Sequence, residues 1–333
     1  MTPQPQLLRS NQPPDRFYKG GAAIAELRSV PFEGGNTPED WVASTTCLFG
    51  ETNLGLTRLD SGELLRDAIA ADPEAWLGRE HVARWGTDTQ LLTKLLHAGQ
   101  RLPVHLHPDD AFAAQHLGRP HGKTEAWLVL QPGAVHLGFR RDVSPEELAD
   151  LVERQDTEAL LDALHTIEVN PGDGVLVPAG TPHAIGEGVF LVEVQQPEDM
   201  SILLEWKGFA LDDDAPRELG LGWDLALQAA DLTVHSPEQA ESLVMRSPGV
   251  GQGLPDLSLS FFRADWVGAG ELEAGFAVLV IIDGGGSLAW AEGELPLTTG
   301  SVVLLPHAAE APRLTGDVRA VWCRPPAAGP RHA

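Results

Sequence analysis

The 333-residue chain reads as a mainly β protein, two small antiparallel β-barrels with helical insertions. Two observations predict this class. Short apolar runs bounded by Gly, Pro, Asp and Asn recur at 126–130, 174–177, 189–194, 277–282 and 301–305, the pattern of a sandwich or barrel. One turn-and-strand unit is also repeated. Pro171-Gly-Asp-Gly-Val-Leu-Val-Pro-Ala-Gly-Thr-Pro-His and Gly300-Ser-Val-Val-Leu-Leu-Pro-His-Ala-Ala-Glu-Ala share the glycine, the strand and the proline. The second copy has Ala308 for the later glycine and Ala311 for the closing histidine.

From the N-terminus, residues 1–17 are rich in Pro and Gln and are expected to form a flexible tail. Residues 18–235 form the first domain, with helical insertions at about 62–97 and 144–164. In the first insertion Glu63, Leu64, Leu65, Ala68 and Ile69 fall at helical spacing. In the second, Ser144 is an N-cap, Pro145 takes the first helical position, and Glu146 and Glu147 meet the positive end of the helix dipole. A break is expected near Gln155. Residues 236–333 form a degenerate second barrel.

Composition narrows the partners. Apolar residues make up 43% and charged residues 21%, a globular profile, and the formal charge is −25 with pI about 4.7. So acidic a surface repels nucleic acid and anionic lipid. Cys47 and Cys323 are far apart with no CxxC spacing, which argues against a disulfide framework and thiolate metal sites. No apolar h-region opens the chain and no run of about eighteen apolar residues occurs, so a soluble, cytoplasmic protein is expected.

The chemistry-bearing residues cluster in the first domain. His105 and His107 are two apart, so a strand turns both imidazoles to one face. Glu125 opens the strand at 126–130, and His183 closes the segment Gly172-x5-Pro178-x-Gly180-x2-His183. Glycine permits the backbone reversal there, and proline fixes the turn that aims the histidine inward. Three imidazoles and a carboxylate make a mixed N/O site for a divalent metal. The second barrel, lacking the final histidine, carries none. This double signature is that of the cupin barrel, with a long insertion between the histidine pair and the glutamate.

That insertion carries a further resemblance. His107-Pro-Asp-Asp, Gly122-Lys-Thr-Glu-Ala-Trp, Pro178-Ala-Gly-Thr-Pro-His-Ala-Ile-Gly-Glu-Gly and Glu193-Val-Gln-Gln resemble the short bacterial mannose-6-phosphate isomerases, over roughly residues 18 to 205. The resemblance implies a zinc-dependent interconversion of an aldose and a ketose, with His107, Glu125 and His183 as ligands and Lys94 and Lys123 lining the substrate pocket. His105 stands where the family has a ligand glutamine, and the resulting set of three histidines and one glutamate also serves iron and manganese. Shifting a proton between C1 and C2 passes through an enediolate, whose oxygen charge a metal stabilises. Glu193 is the candidate proton carrier, or else a partner that orients a ligand imidazole. Asp109 and Asp110 read as turn or capping groups.

Two departures loosen the substrate assignment. Pro103 replaces a family serine, and the family's catalytic arginine falls on Leu203, which cannot hydrogen-bond a phosphate. Lys207, Arg140 and Arg141 are the candidates to compensate. The small-molecule substrate is therefore a sugar phosphate or, alternatively, an unphosphorylated or different sugar. A redox cupin and a non-catalytic sugar-binding protein are the remaining readings.

Overall fold

In the computed structural model, which describes residues 2–32, 34–212 and 215–328, the mainly β class holds. The strands begin with β1 (Gln6–Leu7), β2 (Glu39–Val42), β3 (Leu92–His97), β4 (His105–Leu106), β5 (Glu125–Gln131) and β6 (Gly133–Phe139). They continue with β7 (Leu164–Val169), β8 (Gly174–Val177), β9 (His183–Ile185), β10 (Phe190–Gln195), β11 (Ile202–Leu203) and β12 (Val244–Met245). The last part of the chain supplies β13 (Gly251–Gln252), β14 (Arg263–Val267), β15 (Gly270–Glu271) and β16 (Ala277–Trp290). After these come β17 (Gly293–Thr298), β18 (Val302–Leu305) and β19 (Arg313–Arg324).

Among the described residues these strands form three open sheets, not closed barrels. A six-stranded sheet has the order β12-β8-β5-β10-β3-β2, and a five-stranded sheet the order β11-β4-β9-β6-β7. The eight-stranded sheet runs β1-β18-β16-β19-β14-β13, with β15 on β19 and β17 on β16. One apolar core joins them: Trp127 and Val192 of the first sheet, Leu137 and Ile185 of the second, and Val278 and Val280 of the third are all buried in it. Alternate residues of β16, Leu279 and Ile281, enter a separate core with Leu314 and Trp322. The two-residue period of a strand lets one strand serve two cores.

Three expectations are corrected. Of the expected tail 1–17, the described residues 2–17 are not free: β1 pairs with β18, and Asn11 donates through Nδ2 to the carbonyls of Trp41 (3.0 Å) and Gly55 (2.9 Å). The eight-stranded sheet thus takes a strand from the opposite end of the chain, while β12 pairs with β8 of the first sheet, so residues 236–333 are not self-contained. The segment 62–97 is helical only at Leu65–Ala71, Pro73–Leu77 and Arg79–Trp85. Leu92–His97 is instead a strand held between β10 and β2, five of its six residues buried. A strand covered on both faces loses its polar alternation, so a run such as Leu-Thr-Lys-Leu-Leu-His reads as easily as helix. The second insertion behaves as expected: helices at Pro145–Arg154 and Thr157–Asp162 flank Gln155, whose φ of 50° stops the first. Among the described residues no helix is long and apolar enough to cross a membrane.

Candidate metal centre and its cleft

Strand register assembles the site from two sheets. In the five-stranded sheet His105 on β4 lies opposite His183 on β9 and Leu203 on β11. In the six-stranded sheet Glu193 on the central strand β10 lies opposite Lys94 on β3 and Trp127 on β5, and Gln195 lies opposite Glu125. Two close backbone approaches fix the remaining pieces. Gly180 has φ 84° and donates its N–H to the His107 carbonyl at 2.7 Å, setting the turn before His183. Gly122 packs so tightly that a Cβ would come within 2.5 Å of the Pro108 carbonyl oxygen, which brings Lys123 and Glu125 beside the histidine pair.

The three imidazoles converge. Among the described residues His105, His107 and His183 are the one trio of potential ligands brought together, with ligand atoms within 4.8 Å of one another. Each ring commits Nδ1 to a backbone carbonyl: His105 to Pro103 at 2.8 Å, His107 to Met200 at 2.6 Å, and His183 to Thr181 at 2.8 Å. That bond fixes the tautomer and leaves Nε2 with its lone pair facing inward. Glu125 Oε2 lies 3.0 Å from His107 Nε2, and Oε1 lies 3.4 Å from His183 Nε2. Trp127 Nε1 donates to Glu125 Oε1 at 3.0 Å and orients it.

This donor set fits a divalent cation. His183 Nε2 is buried without a hydrogen-bond partner and faces the centre, as does Glu125 Oε2, whose near neighbours are Lys123 Nζ and His107 Nε2. Orphaned polar atoms at full burial are costly, and a cation would satisfy them. The protonation states also suit a ligand set. Burial, then the neighbouring His183 and His107, keeps His105 neutral well below the usual histidine range. Burial, then the Lys123 ammonium, lowers His107 to about 3. Burial works against the charge of Glu125, but Lys123 and His107 outweigh it and hold the carboxyl well below its ordinary range.

Beside the centre, one cleft collects the other polar groups: Lys94, Lys123, Glu193, Arg16, Glu39 and Asp199. The Lys123 Nζ lies 2.8 Å from Glu125 Oε2 and donates to His107 Nε2 at 3.1 Å. Lys94 Nζ lies 3.2 Å from Glu193 Oε1, 3.9 Å from Asp199 Oδ1 and 4.6 Å from the centre of the Trp41 ring. Burial opposes the charge on Lys94, but Glu193 and Glu39 more than offset it and raise its pKa. Burial, and then the Glu125 charge, pushes Glu193 upward, toward the range where a carboxyl can both give and take a proton.

The seven residues read from sequence as candidate ligands or catalytic groups therefore lie together. Arg16, Glu39 and Asp199 were missed there; Arg16 and Glu39 come from segments with no motif, and Asp199 follows the Gln195-Gln196 strand end without any spacing signal. Asp109 caps a short helix by accepting the Phe112 N–H at 2.7 Å. Asp110 accepts from Gly122 N–H (2.8 Å) and Gln196 Nε2 (2.7 Å), and Gln196 in turn accepts from Thr124 N–H (2.8 Å), so this trio aligns the strand bearing Lys123 and Glu125. The suggested compensating cations lie elsewhere. Arg140 pairs with Asp162 and Arg141 with Glu147 at the surface, and Lys207 lines a separate depression with Arg101 and Glu205. None of the three lines the cleft.

No protein-family model matches the chain. Mannose-6-phosphate isomerase of Streptococcus mutans serotype c is 30% identical over 237 residues, covering 69% of this chain and 72% of the relative. The Bacillus subtilis mannose-6-phosphate isomerase is 30% identical over 226 residues, 65% of this chain and 69% of the relative. The fold matches a crystal structure of mannose 6-phosphate isomerase from B. subtilis with TM-score 0.74 at 22% identity, covering 97% of this chain and all of that one. It also matches a mannose 6-phosphate isomerase bound with zinc and yttrium, with TM-score 0.73 at 16% identity over 98% of this chain.

Proposed function

The chain belongs to the mannose-6-phosphate isomerase family, and from that premise we propose that it interconverts mannose 6-phosphate and fructose 6-phosphate with a bound zinc ion. The observation that carries this reading is the pairing of two devices in one cleft. Three imidazoles and a carboxylate bring their ligand atoms to one point, and the Lys94–Glu193 pair stands beside them.

His105, His107, Glu125 and His183 would hold the ion. Nitrogen and oxygen donors of this mixture suit zinc, and iron or manganese as the alternatives. When bound, the ion supplies a Lewis acid toward the oxygens on C1 and C2 of the sugar. Glu193 takes the proton from C2 of the aldose and returns it to C1, while the proton on the C2 hydroxyl passes to the C1 oxygen. The net change is a ketose, with no external oxidant or reductant. The intermediate is a cis-enediolate, and Lys94 and Lys123 place positive charge where its oxygens gain negative charge. Burial of Lys94 and Glu193 excludes water that would exchange the transferred proton.

A coupled assay on the zinc-loaded protein tests the reading by comparing mannose 6-phosphate with mannose. Turnover of the phosphorylated sugar is expected; turnover of mannose alone would move the substrate to an unphosphorylated sugar. Elemental analysis decides between zinc and iron or manganese. No turnover of any sugar by metal-replete protein would refute the isomerase assignment and favour a binding role.

A further inference from the structure

The cleft contains a guanidinium whose hydrogen-bonding capacity is largely unspent. Arg16 is anchored at its backbone, where its N–H donates to the Asn36 carbonyl at 2.9 Å and its carbonyl accepts from Asn36 Nδ2 at 2.6 Å. Its side chain enters the cleft shared with His105, Lys94, Lys123 and Glu193, and only 14% of it is exposed. A guanidinium offers five N–H donors. Among the described residues its one side-chain hydrogen bond runs from Nη2 to Glu39 Oε1 at 3.4 Å. The Nε is buried without a hydrogen-bond partner, its distance to Glu39 Oε2 is 3.4 Å, and Nη2 stands 3.9 Å from Asp199 Oδ1.

The same protein builds a tight fork elsewhere. Arg101 grips Glu205 with Nη1–Oε2 and Nη2–Oε1 distances of 2.7 and 2.6 Å. Glu39 does not give Arg16 that grip: its oxygens are held closely by Trp41 Nε1 (2.7 Å) and the Tyr18 hydroxyl, while Arg16 stands 3.4 Å away. Asp199 is drawn away by the Phe49 N–H, 3.1 Å from Oδ2. The two lysines of the cleft are bound more closely than Arg16, at 3.2 Å to Glu193 and 2.8 Å to Glu125. Three cations and four carboxylates line the cleft, a net charge of −1 that a divalent ion turns to +1. The filled cleft therefore favours an anion, and the cation with donors to spare is Arg16.

We propose that Arg16 is the oxyanion-binding residue of this site, its guanidinium forking onto the phosphoryl group of the sugar phosphate. The proposal rests on the isomerase reading for the identity of the ligand. It makes Arg16 a determinant of phosphate preference, since an uncharged sugar leaves its donors unsatisfied.

The test uses zinc-loaded wild type, Arg16→Gln and Arg16→Lys, with two readouts. The first is the ratio of kcat/KM for mannose 6-phosphate to that for mannose. The second is calorimetric titration with inorganic phosphate. Loss of one charge-assisted contact should lower the ratio about 10- to 100-fold in Arg16→Gln and weaken phosphate binding by a similar factor. Arg16→Lys should fall between, because an ammonium keeps the charge and loses the fork. An unchanged ratio in Arg16→Gln overturns the proposal. If that variant does not fold, Arg16→Lys decides: a ratio lowered threefold or more supports it and an unchanged ratio overturns it. If the wild type turns over neither sugar, the isomerase reading fails, and the titration alone judges Arg16. Phosphate binding lost in the variant then supports the proposal; equal binding, or none in the wild type, overturns it.

Discussion

Replacing Glu39 by Gln removes a carboxylate on which three donors depend. Trp41 Nε1, the Tyr18 hydroxyl and Arg16 Nη2 all donate to it, and it is 3% exposed. Burial alone would raise its pKa, yet Arg16 and Lys94 reverse that and hold the carboxyl at about 2, against an ordinary 4.5. A depression of that size corresponds to about 3 kcal/mol of folding stability. The sign follows from proton binding: above about pH 4.5 the unfolded chain has no extra proton to take up, so the contribution is complete. As pH falls toward 2 the unfolded chain binds a proton that the folded one refuses, and the contribution drains away. At about pH 3.5 the loss reaches about 1 kcal/mol relative to pH 6. Guanidinium unfolding of wild type and Glu39→Gln at both pH values measures this directly. The wild type should be more stable by about 3 kcal/mol at pH 6, and its advantage should shrink by about 1 kcal/mol at pH 3.5. An advantage equal at the two pH values would show that Glu39 is not held ionised by its neighbours, and the electrostatic account of this side of the cleft would fail.

The remaining predictions concern the centre and its support. His183→Ala should strip the metal, read by elemental analysis of purified protein; full metal content in the variant refutes the ligand assignment. Glu193→Gln should lower kcat about 10²- to 10⁴-fold with KM nearly unchanged, and activity within fivefold of wild type would rule out its role in proton transfer. Lys94→Ala should retain its metal while losing most activity, so normal turnover would remove Lys94 from the reaction. Glu205 joins Arg101, the Val104 N–H (2.9 Å) and the Thr157 hydroxyl (3.1 Å) just before β4. Glu205→Ala should therefore cost about 2–3 kcal/mol in denaturant unfolding, less than a fully buried pair because Arg101 is 24% exposed. A loss under about 0.5 kcal/mol would make the pair a surface ornament.

The departures from the family pattern acquire physical content in this setting. Pro103 lacks a hydroxyl, but its carbonyl accepts the His105 Nδ1–H and so orients that ring. Leu203 lies opposite His105 in the sheet and is buried, an apolar flank rather than a phosphate contact. Arg16, from a segment remote in sequence, brings a guanidinium into the same cleft.

What the chain determined by itself was local. The two-residue spacing of His105 and His107, the glycine–proline turn ending in His183, and the carboxylate opening β5 each follow from rules acting over a few residues, so the candidate site was legible before any fold was known. The Ser144 cap and the break at Gln155 were legible for the same reason. Register and packing decided the rest. Lys94 meets Glu193 because β3 and β10 pair at that offset, and Leu92–His97 is a strand because neighbours cover both its faces. Residues 6–7 are ordered because an edge near the other end of the chain offers unpaired backbone groups, Leu7 lying opposite Val303 while Gln6 lies opposite Leu304. Arg16, Glu39 and Asp199 join the cleft through contacts separated by tens to hundreds of positions. Pairing energies of that kind depend on which surfaces meet, and no window of sequence contains both partners.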